Sequence, residues 1–212
     1  MAKYVLHSFL ESGNAYKVAL MLELCGADWE PVYVDFLKGA ARSERYREDL
    51  NSMGEVPVLV VGDRKLTQSG AILTYLAETF GKFGGKTEEE RYEVLRWILF
   101  DNHKLTGNIS ILRFIRYIKK MDESQVTEFL EGRCHAALSI LEKQLSTNRF
   151  VVGDDPTIAD FSLCGYLFWP EQIGIDMDLY PNIKRWLDDV KTIENWKSPE
   201  ELIPHSVLSG VS

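Results

Sequence analysis

Residues 57–81 read PVLVVGDRKLTQSGAILTYLAETFG, and this stretch decides the fold. PVLVV (57–61) has strand character, meets the turn Gly62-Asp63 and returns as RKLT (64–67), the pattern of a β-hairpin. SGAILTYLAETFG (69–81) then switches to helical periodicity and stops at Gly81, where glycine's tolerance of left-handed backbone ends a helix. Upstream, EPVYVDF (30–36) alternates Val32, Val34 and Phe36 and reads as a half-buried strand. AYKVALMLELC (15–25) places Ala15, Val18, Ala19, Leu22 and Cys25 on one helical stripe, and Gly26 stops it. YVLHSF (4–9) is a short apolar-rich strand, and a polar helical stretch lies around Ser43–Leu50. The order is β-α-β-α-β-β-α. A parallel crossover followed by an antiparallel hairpin predicts a mixed sheet with helices on its faces.

Downstream, GKFGGK (81–86) carries three glycines and reads as a linker. No convincing strand follows it. Thr87-Glu88-Glu89-Glu90 has the form of a capping box. It opens a long helix through Trp97, Phe100 and Leu105, with a weak point at Gly107, continuing past Phe114 and Ile118. Further helices are predicted over Ser124–Leu145, from Thr157 with Asp160 returning the cap, and over Asn182–Thr192 with Pro181 in the first turn. Ser198-Pro199-Glu200-Glu201 starts a short last helix. The fold class is thus α/β plus all-α. Residues 1–80 form a β-α-β-α-β-β-α domain, 81–86 a linker and 87–212 an all-helical domain.

Composition narrows the function classes. The chain has 212 residues, 45% hydrophobic and 26% charged, which is a folded globular balance. It carries 24 Lys plus Arg against 32 Asp plus Glu, a net charge of -8, so no nucleic-acid partner is expected. No run of about 18 apolar residues exists to span a membrane. The opening MAKYVLHSFLESGN lacks the unbroken apolar core of a signal peptide. Cys25, Cys134 and Cys164 are odd in number and far apart, which suits a reducing, cytoplasmic setting without disulfides. The four histidines show no metal-ligand spacing, and no metal is expected.

A β-α-β-α-β-β-α half is the thioredoxin-like arrangement. In it, the turn from first strand to first helix can favour an anion such as a thiolate, because the helix N-terminus offers free amides and partial positive charge. That turn here reads Ser12-Gly13-Asn14-Ala15. It holds no thiol, so a glutaredoxin-like reductase using a protein cysteine is disfavoured. A hydroxyl and a carboxamide remain, both able to donate to a thiolate brought by a ligand.

Four segments together resemble the cytosolic glutathione transferase family over nearly the whole chain. FLESGNAYKV (9–18) is similar to the serine- or asparagine-containing turn of bacterial-type, zeta, theta and nu-like classes. NSMGEVPVL (51–59) is similar to the family's Asn-Pro-x-Gly-x-Val-Pro segment. TQSGAILTYL (67–76) is similar to its (Glu/Gln)-Ser-x-Ala-Ile, and PTIADFSL (156–163) to its Ser/Thr-x-x-Asp cap. The resemblance implies an enzyme that binds reduced glutathione as co-substrate, stabilises its thiolate and transfers it to an electrophilic small molecule, or uses it in related isomerase, peroxidase or disulfide-exchange chemistry. It also implies a homodimer and a role in detoxification. The alternative is a non-catalytic module of the same fold used for protein interaction.

The resemblance assigns roles residue by residue. Ser12 and Asn14 are the two candidate thiolate donors, and sequence leaves the choice open; Tyr4 lies too early in the first strand. A thiol of pKa about 8.5 is only about 3% ionised at pH 7, so a donor that lowers it matters. Val56-Pro57 is expected as a cis-proline turn whose Val56 backbone pairs with the cysteinyl residue of glutathione. Gln68 and Ser69, with Ser69 as helix cap, suit the γ-glutamyl group. Glu55 departs from the family pattern: it is acidic where several classes carry Lys or Arg, and a like charge opposes the glycine carboxylate. Lys38 and Arg42 are then the candidates to neutralise that carboxylate. Phe9, Leu10 and a stripe formed by Trp97, Asp101, Lys104 and Asn108 are expected on the acceptor side, the other reading of that stripe being a salt-bridged face.

Overall fold

The computed structural model describes residues 3–208. Buried and half-buried residues alternate along β1 (Tyr4–Ser8), which lies inside a four-stranded sheet of order β2-β1-β3-β4. β2 (Trp29–Tyr33) pairs with it in parallel, Tyr4 opposite Trp29. β3 (Val58–Val61) pairs on its other side in antiparallel fashion, Tyr4 opposite Val61. β4 (Arg64–Thr67) completes the expected hairpin, with Gly62 at φ 56 in the turn. β2 is an edge strand, which accommodates Pro31 and leaves Val32 exposed where alternation predicted burial.

α1 (Gly13–Leu24) is buried almost all round, so its apolar residues spread beyond one stripe. It packs against α3 (Ser69–Phe80), which ends at Gly81 in the left-handed conformation. The polar stretch after β2 forms a short turn at 40–42 and α2 (Glu44–Asp49), capped by Ser43.

By contacts the chain divides into two compact units, residues 1–81 with 193–212, and 82–192. The sequence reading placed 193–212 with the helical half; the structure seats the described part of that tail on the first unit. Its buried Leu202, Ile203 and Val207 supply apolar reason for this, and Tyr16 Oη donates to the Lys197 carbonyl at 3.0 Å. A capping box announces a helix but not the surface it docks on.

The second unit is helical throughout its named elements. α4 (Glu88–Phe100) continues through a wide π-type turn at 101–105, α5 (Thr106–Arg113) and a second wide turn at 114–118. The expected weak point at Gly107 is therefore displaced to 101–105. Gly107 is there for space: a Cβ would lie 2.9 Å from the Asn102 carbonyl oxygen. α6 (Gln125–Leu145), α7 (Ile158–Cys164), a short α8 (Pro170–Ile173) and α9 (Pro181–Lys191) complete the unit. The tail of the chain carries α10 (Pro199–Leu202). The box at Thr87 is only half formed. Thr87 caps the Glu90 amide, but the Glu90 carboxylate reaches one residue further back, to the Lys86 amide at 2.6 Å.

Candidate active site

Pairing fixes where the candidate residues meet. His7 lies opposite Val58, and Val58 opposite Thr67. The end of β1, the start of β3 and the end of β4 therefore share one end of the sheet. The turn with Ser12 and Asn14, the segment with Val56-Pro57, and Gln68-Ser69 all leave from that end.

Ser12 is the N-cap of α1 and buried; its Oγ accepts from the Ala15 amide at 3.2 Å. A hydroxyl that accepts through a lone pair can still donate its proton. Asn14 is the second residue of the same helix, and its Oδ1 accepts from Ser69 Oγ at 3.3 Å. That bond holds the carbonyl side of the carboxamide and leaves the amide protons as the donating side. It also joins the N-termini of α1 and α3, so two sets of helix-end amides converge. Ser69 is not the cap of α3: it is the first helical residue, and Gln68 holds the cap position at φ 66 and ψ 112 without a side-chain cap bond.

The Val56-Pro57 peptide is cis. Val56 precedes the β3 ladder, which begins at Val58. The loop before it is tightly braced. Asn51 Nδ2 and Tyr46 Oη each donate to the Glu55 carbonyl at 3.0 Å, and Asn51 Oδ1 accepts from the Met53 amide at 3.0 Å. Burial pushes the Tyr46 phenol up to about 12, so it remains a donor. Gly54 stands at φ 68, where a Cβ would meet the Ala41 carbonyl and the Arg47 Nε at 3.0 Å. Gln68 Nε2 donates to Glu55 Oε2 at 2.9 Å and approaches Met53 Sδ at 3.3 Å.

The remaining expected residues of the first unit differ in their surroundings. Lys38 is engaged by Asp35, with Nζ 3.2 Å from its carboxylate, and is 79% exposed. Arg42 is exposed and follows Ala41, whose carbonyl lies against Gly54. Phe9 is buried and stacked on Phe36 at 4.9 Å, so its ring serves the core of the first unit. Leu10 is half-buried, its amide bonded to the His205 carbonyl at 2.9 Å.

In the second unit the stripe does not survive as one face. Asp101 is wholly buried and accepts from Thr106 Oγ1 at 2.7 Å and Ser162 Oγ at 2.6 Å, which makes it an internal anchor. Trp97 is buried with Nε1 unpartnered, Lys104 is exposed, and Asn108 is buried and bonded to Arg133 and the Lys104 carbonyl. The wide turn at 101–105 adds a residue to the turn and shifts the register that i, i+4, i+7 spacing assumed.

Sequence reasoning passed over Glu11 and Lys17, both buried on either side of the Ser12 turn. Glu11 accepts from Ser206 Oγ and, at 3.1 Å, from the Val207 amide. Neither a charge just after a predicted strand nor one inside a predicted helix but off its apolar stripe gives a local signal of burial. Cys134 is buried, and burial pushes its thiol up to about 12, which keeps it protonated. Cys25 lies at the far end of α1, whose twelve residues span about 18 Å.

Comparison with known proteins agrees with the two-part fold. Residues 2–78 match the family model "Glutathione S-transferase, N-terminal domain" and residues 106–194 "Glutathione S-transferase, C-terminal domain". Glutathione S-transferase F10 of Arabidopsis thaliana is 31% identical over 186 residues, covering 81% of this chain and 85% of the relative. Maleylacetoacetate isomerase of Pseudomonas aeruginosa is 29% identical over 191 residues, covering 86% and 89%. The crystal structure of a glutathione S-transferase from Pseudomonas fluorescens superimposes with a TM-score of 0.87 at 33% identity, over 92% of this chain and 98% of that one. With both of its family domains matched in order, and a relative 31% identical over 81% of this chain, the chain belongs to the glutathione S-transferase family.

Proposed function

We propose that this chain binds reduced glutathione, holds its sulfur as thiolate at the α1 N-terminus and delivers it to an electrophilic small molecule. The observation that carries this reading is the Ser69–Asn14 hydrogen bond of 3.3 Å, which joins the two helix ends suited to the γ-glutamyl carboxylate and to the thiolate. Ser12 and Asn14 act as hydrogen-bond donors, not as nucleophiles. The nucleophile is the tripeptide's own sulfur, and the enzyme's contribution is a lowered pKa plus proximity. Val56, ahead of the ladder, offers its backbone to the cysteinyl residue, and Gln68 and Ser69 receive the γ-glutamyl end. Arg42, beside the Gly54 loop, is the cation we assign to the glycine carboxylate, since Lys38 already has Asp35.

A second reading concerns the acceptor. Relatives named maleylacetoacetate isomerase support a reaction in which the thiolate adds to one carbon of a double bond conjugated to a carbonyl and sends the π pair onto that carbonyl oxygen; the former double bond rotates, and return of the pair expels the same thiolate. Both readings use the same thiolate.

Millimolar reduced glutathione is expected to raise the melting temperature and to retain the protein on immobilised glutathione. No shift and no retention would favour the non-catalytic interaction module. The family resemblance also supports a cytoplasmic homodimer active in detoxification. Tyr92, Leu95 and Leu99 of α4 are 65%, 49% and 59% exposed at i, i+3 and i+7, an apolar stripe suited to the twin surface of a second copy. Light scattering tests this, and a monomeric mass would contradict it.

A further inference from the structure

Glu55 was expected to oppose the ligand's glycine carboxylate, yet its neighbours place it at the other end of the site. Its carbonyl is held by two buried residues, Tyr46 and Asn51, at 3.0 Å each, so its side chain leaves from a fixed point of the main chain. The carboxylate accepts from Gln68 Nε2 at 2.9 Å. Gln68 is the residue before Ser69, held at φ 66, and Ser69 is bonded to Asn14. The Glu55 carboxylate thus lies by the α3 N-terminus, where the preceding reading, on which this inference rests, puts the γ-glutamyl group.

That end of glutathione is a free α-amino acid and carries two opposite charges. Ser69 and the helix amides suit its carboxylate and oppose its ammonium. A protein carboxylate beside them matches the ammonium. We propose that Glu55 receives the α-ammonium of the γ-glutamyl residue and makes the site selective for thiol peptides with that amino group free. Gln68 assists by holding that carboxylate in place: its amide nitrogen donates to Glu55 and approaches Met53.

The test is calorimetric binding of three ligands to wild type and to Glu55→Gln. The ligands are reduced glutathione, its analogue without the α-amino group (glutaryl-cysteinyl-glycine), and its analogue with the glycine carboxylate replaced by a carboxamide. Glu55→Gln keeps an acceptor for Gln68 and removes only the charge. Wild type is expected to prefer glutathione over the des-amino analogue by about tenfold, and Glu55→Gln to reduce that preference to about twofold or less. The glycine amide and glutathione should lose affinity equally in the variant. If Glu55→Gln binds glutathione more tightly, or wild type favours the glycine amide and the variant does not, Glu55 faces the glycine carboxylate and the assignment is wrong. An unchanged preference for the amino group in the variant overturns it too. If none of the three ligands binds wild type, the glutathione reading itself falls, which the wild-type arm shows separately.

Discussion

At the residue scale, the site is built from donors that the fold has already half used. Ser12 caps α1 and Asn14 accepts from Ser69, so each keeps one function uncommitted by these bonds, a hydroxyl proton and an amide, for the thiolate we propose there. Sequence showed both residues but could not rank them, because rank depends on which lone pairs the fold engages. Lys38 was legible as a charge, but its local pairing with Asp35 was not. His7, in β1, carries a different consequence. Burial holds its imidazole below the ordinary range. The unfolded chain then binds a proton more readily than the folded one, so stability is lost as pH falls through about 6.5 toward the lowered folded value, and is unaffected above it. His7→Gln is expected to flatten that part of the slope, read from denaturant midpoints at about pH 7.5 and about pH 5.5.

At the element scale, helix ends were the most legible features, since caps depend on residues three or four apart. Ser124, Thr157 and Ser198 all open helices as capping boxes. Pro181 stands at the start of α9, where the Glu142 carboxylate of α6 reaches across to the Asn182 and Ile183 amides at 2.9 Å each. That distant cap has no local signature. The wide turns at 101–105 and 114–118 were not legible either, because hydrophobic spacing describes a regular helix and not an inserted residue. Asp160 shows how much one cap can carry. Burial pushes its carboxyl up, while the Val151 and Thr157 amides, the Trp186 Nε1 and the Thr157 hydroxyl all donate to it. Asp160→Asn sets an amide against these donors and is expected to destabilise the second unit by about 3 kcal/mol, measured by urea unfolding.

At the scale of the whole molecule, the mixed sheet and the helical half were legible in the element order, whereas the strand order β2-β1-β3-β4 and the tail's position were not. The described end of the chain returns to the first unit and bonds the very turn that bears Ser12. The His205 carbonyl takes the Leu10 amide at 2.9 Å, and Ser206 and Val207 both donate to the buried Glu11. Nothing within residues 9–12 signals a partner nearly two hundred positions away. Ending the chain after Pro204 removes these bonds and leaves Glu11 short of two donors. The expected result is a loss of about 1–3 kcal/mol in stability together with weaker glutathione binding. Unchanged glutathione affinity in the shortened chain would show that the tail does not order the turn.

The central claim is that the α1 N-terminus holds glutathione as thiolate. Its most direct test is the ultraviolet absorbance of the bound thiolate, titrated against pH for wild type, Ser12→Ala and Asn14→Ala. The account predicts that bound glutathione ionises about one to two pH units below the free value of about 8.5, and that removing the main donor returns most of that shift. A bound thiol that titrates at its free value in wild type, or a lowered value that survives both substitutions together, would contradict it.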